Sequence, residues 1–272
     1  MKRIKPYLSA LIHVASILSL FLLAVGFGLA VQDIVRPSQT GLTSTKLNTE
    51  PSEMPVGGML IGLGDSLTRG IGDATGQGYF GMVKKALHEK SDSNFSAVNL
   101  AVSGSTSPEL AKQVQQERVQ ELLKKANWIT LTIGGNDLFR GSGRLEKIDE
   151  KAAEKARLAY AENLNQILTT IQRQNKKATI FIFGLYNPFG DLPEEERSSR
   201  LVAEWNETTN KVAARFDQVV VIPTFDLFQL QPKLYLYNDH FHPNQLGYER
   251  MAERLLQVIN DKPKEAKTAY GK

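Results

Sequence analysis

Five short apolar runs set the terms on which this chain can fold. "MLIGLG" (59–64), "SAVNLAV" (96–102), "WITLTIG" (128–134), "TIFIFGL" (179–185) and "QVVVIP" (218–223) are rich in β-branched and aromatic residues, with apolar side chains at nearly every position. A strand with one wet face alternates polar and apolar residues; a run without that alternation suits a strand covered on both faces. Between the runs lie longer helix-like patterns near 79–91, 107–126, 147–175 and 195–215, with a last one at 244–260. Pro108 and Pro243 stand where helices are expected to begin. Strand and helix in alternation predict an α/β fold, a five-stranded parallel sheet with helices on both faces. Such sheets bind ligands outside the carboxyl ends of their strands. The residues that follow each apolar run are therefore the first candidates for function.

Four of those positions carry chemistry. Ser66, in "IGLGDSLTRG", follows the first run. A serine hydroxyl is nearly inert at neutral pH unless a base and an oxyanion-stabilising site stand beside it. The second run ends in "NLAVSGSTSPEL", where Gly104 can bring a backbone N–H close to a ligand. The third ends in "TIGGNDLF", where the Asn136 amide is a neutral donor suited to a developing oxyanion. Ahead of the final helix pattern, "NDHFHPNQLGYE" places Asp239 and His242 three residues apart. That spacing lets a carboxylate face one imidazole nitrogen while the other faces a serine, the geometry of a hydrolase triad. His240 is an alternative base, or with Asp239 and His242 a metal ligand. A metal site wants three or four ligands at recognisable spacing, so none is expected. Singly, each segment also reads as turn chemistry; their order at the ends of apolar runs is what joins them.

Together "GDSLTRG", "NLAVSG", "GGND" and "DHFHP" resemble the four blocks of the GDSL, or SGNH, family of serine esterases and lipases, and the resemblance runs from about residue 58 to 260. It implies a three-layer α/β/α sandwich of flavodoxin-like type. It also implies Ser66 as nucleophile, His242 as base and Asp239 as the group orienting it. The oxyanion hole would be made by the N–H groups of Ser66 and Gly104 and the amide of Asn136, and no cofactor is needed. The chain looks most similar to membrane-anchored members from Gram-positive bacteria. Signatures of other hydrolases, Gly-x-Ser-x-Gly and His-Glu-x-x-His, do not occur in it.

The N-terminus bears on location. Residues 7–31, "YLSALIHVASILSLFLLAVGFGLAV", contain no Asp, Glu, Lys or Arg, and about 20 apolar residues span a bilayer core as helix. A cleavable signal peptide ending near Ala30 is the alternative. Lys2, Arg3 and Lys5 lie in the short tail at 1–6, so the positive-inside rule keeps that tail in the cytoplasm and the body outside. Residues 32–56 are rich in Ser, Thr and Pro and read as a flexible linker. The hydrolase domain is expected over 57–262, with a solvated tail at 263–272. Charge argues against nucleic acid as a partner: residues 1–30 hold three of the 33 cations and none of the 29 acids, so the remainder is nearly balanced. Cysteine is absent, which removes disulfides and thiolate chemistry.

The expected substrate is a small-molecule, lipid or cell-envelope ester, with the membrane as partner through the N-terminal helix. Leu138, Phe139, Tyr186 and Phe189 are candidate pocket walls, and residues 186–205 are either part of a lid or a loop entering a helix. Within the enzyme class, wall-polymer O-acetylesterase and lysophospholipase or thioesterase both fit. A non-catalytic envelope scaffold that keeps the fold is the alternative outside it.

Overall fold

The computed structural model describes residues 58–90, 95–143, 148–190 and 193–260, together with Ser19. The chain divides into two units, Met1–Glu50 and Pro51–Lys272. The short tail, the expected span at 7–31, the linker at 32–56 and the tail at 263–272 lie outside the described residues, Ser19 aside. No helix among the described residues is long and apolar enough to cross a membrane.

The second unit carries five strands: β1 Met59–Gly64, β2 Ser96–Asn99, β3 Trp128–Thr132, β4 Thr179–Phe183 and β5 Val219–Ile222. They pair in the order β2-β1-β3-β4-β5, every pair parallel. Ten helices fill the connections among the described residues: α1 Ser66–Arg69, α2 Gly78–Lys90, α3 Ser107–Gln113, α4 Glu117–Leu123, α5 Gly135–Gly141, α6 Glu150–Gln174, α7 Glu195–Ala213, α8 Phe225–Gln229, α9 Pro232–Tyr235 and α10 Gln245–Asn260.

The continuous apolar runs are explained by two cores, one on each face of the sheet. Successive strand residues point to opposite faces. On β1, β3 and β4, Ile61, Leu63, Ile129, Leu131, Ile180 and Ile182 therefore meet Leu110 of α3, Leu123 of α4, Leu164 and Ile167 of α6, and Trp205 of α7. Their neighbours Leu60, Trp128, Phe181 and Phe183 pack against Val83 and Leu87 of α2, Phe228 of α8, and Met251 and Leu255 of α10.

The helix expected over 107–126 is broken. Val114–Gln116 interrupts it, and Gln115 and Gln116 donate their N–H groups to the carbonyls of Lys112 and Gln113, tightening the turn. The Gln113 amide reaches across to the Leu100 carbonyl at 2.7 Å and that of Gln115 to Thr170 at 2.8 Å. Tertiary partners thus outweigh helical periodicity here.

Strand order reverses between β1 and β3. An open parallel sheet leaves a crevice at such a reversal, because the connections from adjacent strands run to opposite faces. Ser66 follows β1 directly and Asn136 lies just past β3, so both flank that crevice.

Candidate active site

β1 can end beside β3 because Gly64 carries no side chain. At its φ of 113° a Cβ would lie 1.9 Å from the Thr132 carbonyl oxygen. Asp65 then turns the chain: its N–H donates to Thr132 O at 3.0 Å, and its Oδ1 accepts from Leu67 N–H at 3.0 Å, capping α1. Ser66 opens that single turn and is only 4 % exposed. Behind it runs a chain of buried hydroxyls. Thr132 donates to Asp65 Oδ1 at 2.7 Å, Thr68 and Thr132 hydroxyls lie 2.8 Å apart, and Tyr79 bridges Thr68 at 2.5 Å and Thr130 at 2.6 Å. Burial pushes the Asp65 carboxyl up to about 6, against the opposing pull of its Thr132 and Leu67 hydrogen bonds and the nearby His242.

Asp239 and His242 lie on the loop between α9 and α10. Ser66 Oγ stands 2.8 Å from His242 Nε2, and His242 Nδ1 stands 2.6 Å from Asp239 Oδ2. The loop makes much of its own support. Asp239 Oδ1 accepts the N–H groups of Phe241 and His242, each at 3.0 Å. The N–H of Tyr237 donates to His242 O at 2.8 Å and that of His240 to Tyr237 O at 2.9 Å. His240, at φ 54°, makes the tight turn and does not enter the Ser66–His242–Asp239 line. Among the loop's ties to the body of the protein is the Tyr186 hydroxyl, which donates to Phe241 O at 2.6 Å. Partial burial pushes the Asp239 carboxyl up, but hydrogen bonds from His242 and the two backbone N–H groups outweigh it and hold the group below the usual carboxylate range.

Gly104 and Asn136 come from neighbouring loops that are clasped together. The Asn136 amide donates to Ser105 O at 3.0 Å, which spends one of its two N–H bonds and orients the other. Gly104 adopts φ 76°, open to glycine, and its carbonyl accepts from Arg140 at 2.9 Å. Asp137 accepts the Ser107 N–H at 3.0 Å and hydroxyl at 2.5 Å, and Asn163 donates to that hydroxyl at 3.1 Å. Among the described residues no internal hydrogen bond engages the N–H of Ser66 or of Gly104. Asn136 lines the pocket beside Ser66, whereas Gly104 is not among its lining residues.

The pocket opens at Ser66, with a cavity volume of about 80 Å³. Leu138, Phe139, Tyr186 and Phe189 all line it. Phe139, Phe189 and Phe241 form an aromatic cluster, with ring centroids 5.4–6.3 Å apart. Tyr186 does double duty, its ring buried against Phe228 and its hydroxyl holding the His242 loop. Residues 186–205 contribute a loop and the start of α7, joined where Asn187 donates to Ser198 at 3.0 Å and Ser199 at 2.9 Å. Sequence reasoning passed over Thr68, Tyr79, Thr132, Asp137, Leu201 and Val202. A hydroxyl or an apolar side chain carries no local mark of the partner it meets across the fold. Among the described residues no group of three or more His, Asp or Glu stands close enough to hold a metal ion.

A serine on a tight turn, an imidazole and a carboxylate in line with it, and an amide at a neighbouring strand end are groups of the kind that acyl transfer requires. The model of the GDSL-like lipase/acylhydrolase family matches residues 63–250. The chain belongs to this family. It is therefore an ester hydrolase of the GDSL type. YpmR of Bacillus subtilis is 30% identical over 214 residues, which is 76% of this chain and 84% of that protein. The spore germination lipase LipC of Bacillus licheniformis is 29% identical over 199 residues, covering 71% and 92%. Among solved structures, the lipase Lip_vut3 from a goat rumen metagenome superposes with a TM-score of 0.68 at 29% identity, covering 75% of this hydrolase and 98% of that chain. The acetylxylan esterase Axe2 of Geobacillus stearothermophilus shares the fold, with a TM-score of 0.60 at 22% identity over 77% and 97% of the two chains.

Proposed function

We propose that this GDSL hydrolase cleaves carboxylic esters by two-step acyl transfer at Ser66. The observation that carries the reading is the unbroken line Ser66 Oγ–His242 Nε2 at 2.8 Å and His242 Nδ1–Asp239 Oδ2 at 2.6 Å. Ser66 Oγ bonds to the ester carbonyl carbon while His242 Nε2 takes the hydroxyl proton. The negative charge that develops on the carbonyl oxygen is met by the N–H groups of Ser66 and Gly104 and the remaining Asn136 N–H. Collapse breaks the bond to the alcohol oxygen, which receives the proton from His242 and departs. Water then repeats the sequence on the acyl-enzyme, giving up a proton to His242 that returns to Ser66 as the acid leaves. Asp239 keeps Nδ1 protonated and Nε2 aimed at Ser66.

The place of action is the outer membrane face or cell envelope, with residues 7–31 as an anchor and residues 32–56 as the linker. The support is the uncharged apolar length of that stretch and the cations before it. The test is a fluorophosphonate probe with an ester assay. The native protein should be labelled and active, and Ser66→Ala should lose labelling and at least about 10³-fold of turnover. Full esterase activity in Ser66→Ala would end this reading.

A further inference from the structure

The backbone that leaves α1 touches both halves of the Ser66–His242 pair. Gly70 caps the helix, and the next N–H, that of Ile71, donates to Ser66 O at 3.0 Å. Gly72 then meets the other half, at φ 96°. A Cβ there would run into Pro243 O and stand 3.0 Å from His242 Cβ and 3.2 Å from Tyr237 Cβ. Only a residue without a side chain fits so close an approach at that φ.

This crossing is held from both ends. Tyr248 of α10 is fully buried and donates its hydroxyl to Ile71 O at 2.6 Å. Beyond Gly72, the buried Asp73 carboxylate accepts the N–H groups of Thr75 and Gly78 at 2.9 and 2.8 Å, and the Thr75 hydroxyl at 2.7 Å. The Ile71 side chain is 41 % exposed, so the fold grips this residue by its backbone. The hydrogen bonds inside the His242 loop orient the imidazole against Asp239, but none of them fixes its distance from Ser66. A misplacement of about 1 Å between reacting groups can cost about 10²-fold in rate.

Resting on the acyl-transfer reading above, we infer that Ile71–Gly72 is a backbone spacer that sets the distance between Ser66 and His242, with Tyr248 as its positioning residue. The serine side of the spacer is a hydrogen bond and the histidine side is a steric stop. Neither Gly72 nor Tyr248 touches the reacting atoms.

The experiment measures kcat and KM on p-nitrophenyl butyrate, and the thermal midpoint, for Gly72→Ala, Tyr248→Phe and Gly76→Ala. Gly72→Ala is also made in a His242→Ala background. Gly76 shares the loop and a positive φ of 67°, but a Cβ there meets nothing within 4 Å. Its variant carries backbone strain without the contact, so the thermal midpoint should fall while kcat stays native. Gly72→Ala should lower kcat at least about tenfold with KM nearly unchanged. Tyr248→Phe keeps the ring and should lower kcat about fivefold. In the His242→Ala background Gly72→Ala should leave the residual turnover unchanged, because a residue that acts through the imidazole has nothing left to act on.

Native kcat in folded Gly72→Ala, or the same loss with and without His242, would overturn the spacer. So would a loss of kcat in Gly76→Ala equal to that in Gly72→Ala. Should Gly72→Ala not fold, native kcat in Tyr248→Phe would overturn it instead. Native turnover in His242→Ala alone would end the acyl-transfer reading itself, a result distinct from all of these.

Discussion

Ser66 stands at the end of a central strand, 4 % exposed and backed by a chain of buried hydroxyls, whereas Asp239 and His242 stand on a loop at the rim. The first side is built by the sheet: Gly64 pairs with Thr132 of β3 and Asp65 N–H donates to Thr132 O, so the position of Ser66 is a consequence of strand packing. The second is built largely by itself, through Asp239 accepting two neighbouring N–H groups and Tyr237 closing the turn. The two carboxyls diverge accordingly. Asp65 is pushed up by burial, and Asp239 is held down by the hydrogen bonds it accepts. A damaged nucleophile side should therefore cost fold and activity together, while a damaged base side should cost activity with the fold intact.

The largest break to attempt is Asp239→Asn. Replacing the orienting carboxylate should lower kcat by about 10³–10⁴-fold, since the imidazole loses its required tautomer. Circular dichroism and the thermal midpoint should stay close to native values; an unfolded variant would contradict the self-supporting loop. Gly64→Ala, on the other side, forces a Cβ into the Thr132 carbonyl. It should cost at least about 3 kcal/mol in urea denaturation, through strain and the shift of β1 against β3.

Asp65→Asn sharpens the contrast through pH. A carboxyl whose folded pKa is raised contributes stability at low pH and loses it as pH rises through about 6. An amide at this position has no such loss. Asp65→Asn should therefore gain roughly 2.4 kcal/mol relative to the native protein between about pH 4 and pH 7.5, read from denaturation midpoints at both pH values. A constant difference across that range would show that the carboxyl is not strained by burial. For Asp239 the sign is opposite: its contribution is present at neutral pH and fades as pH falls through its lowered pKa.

The smallest expected effect is at the tie between the two sides. Tyr186→Phe removes the hydroxyl that holds Phe241 O while keeping the ring against Phe228. Losing one such bond is worth about 1 kcal/mol of stability, and kcat should fall no more than a few-fold. A loss as large as that of Asp239→Asn would mean the loop depends on the body after all.

Much of this molecule was legible before any coordinates. The apolar runs named all five strands because a strand covered on both faces cannot hide its composition; Ser66 and Asn136 stand out by their places beside those runs, and Asp239 and His242 by their spacing ahead of the last helix. The break at Val114–Gln116 was not, because Gln113 and Gln115 answer to Leu100 and Thr170 rather than to their helical neighbours. Nor were the turns at α1 and α5, which are too short to show a period.

By itself, then, the sequence determined the layered α/β fold, the family, and which residues compete for chemistry at the strand ends. These follow from period, composition and short-range turn chemistry, all of which are written locally. Tertiary structure alone decided that Ser66 and His242, 176 positions apart, meet at 2.8 Å. It alone joined Thr132 to Asp65, clasped Asp137 to Ser107, and brought α7 to close a pocket begun by β3 and β4. Such contacts depend on how helices and strands pack in three dimensions, and a threonine or a valine looks the same in sequence whichever neighbour it will find.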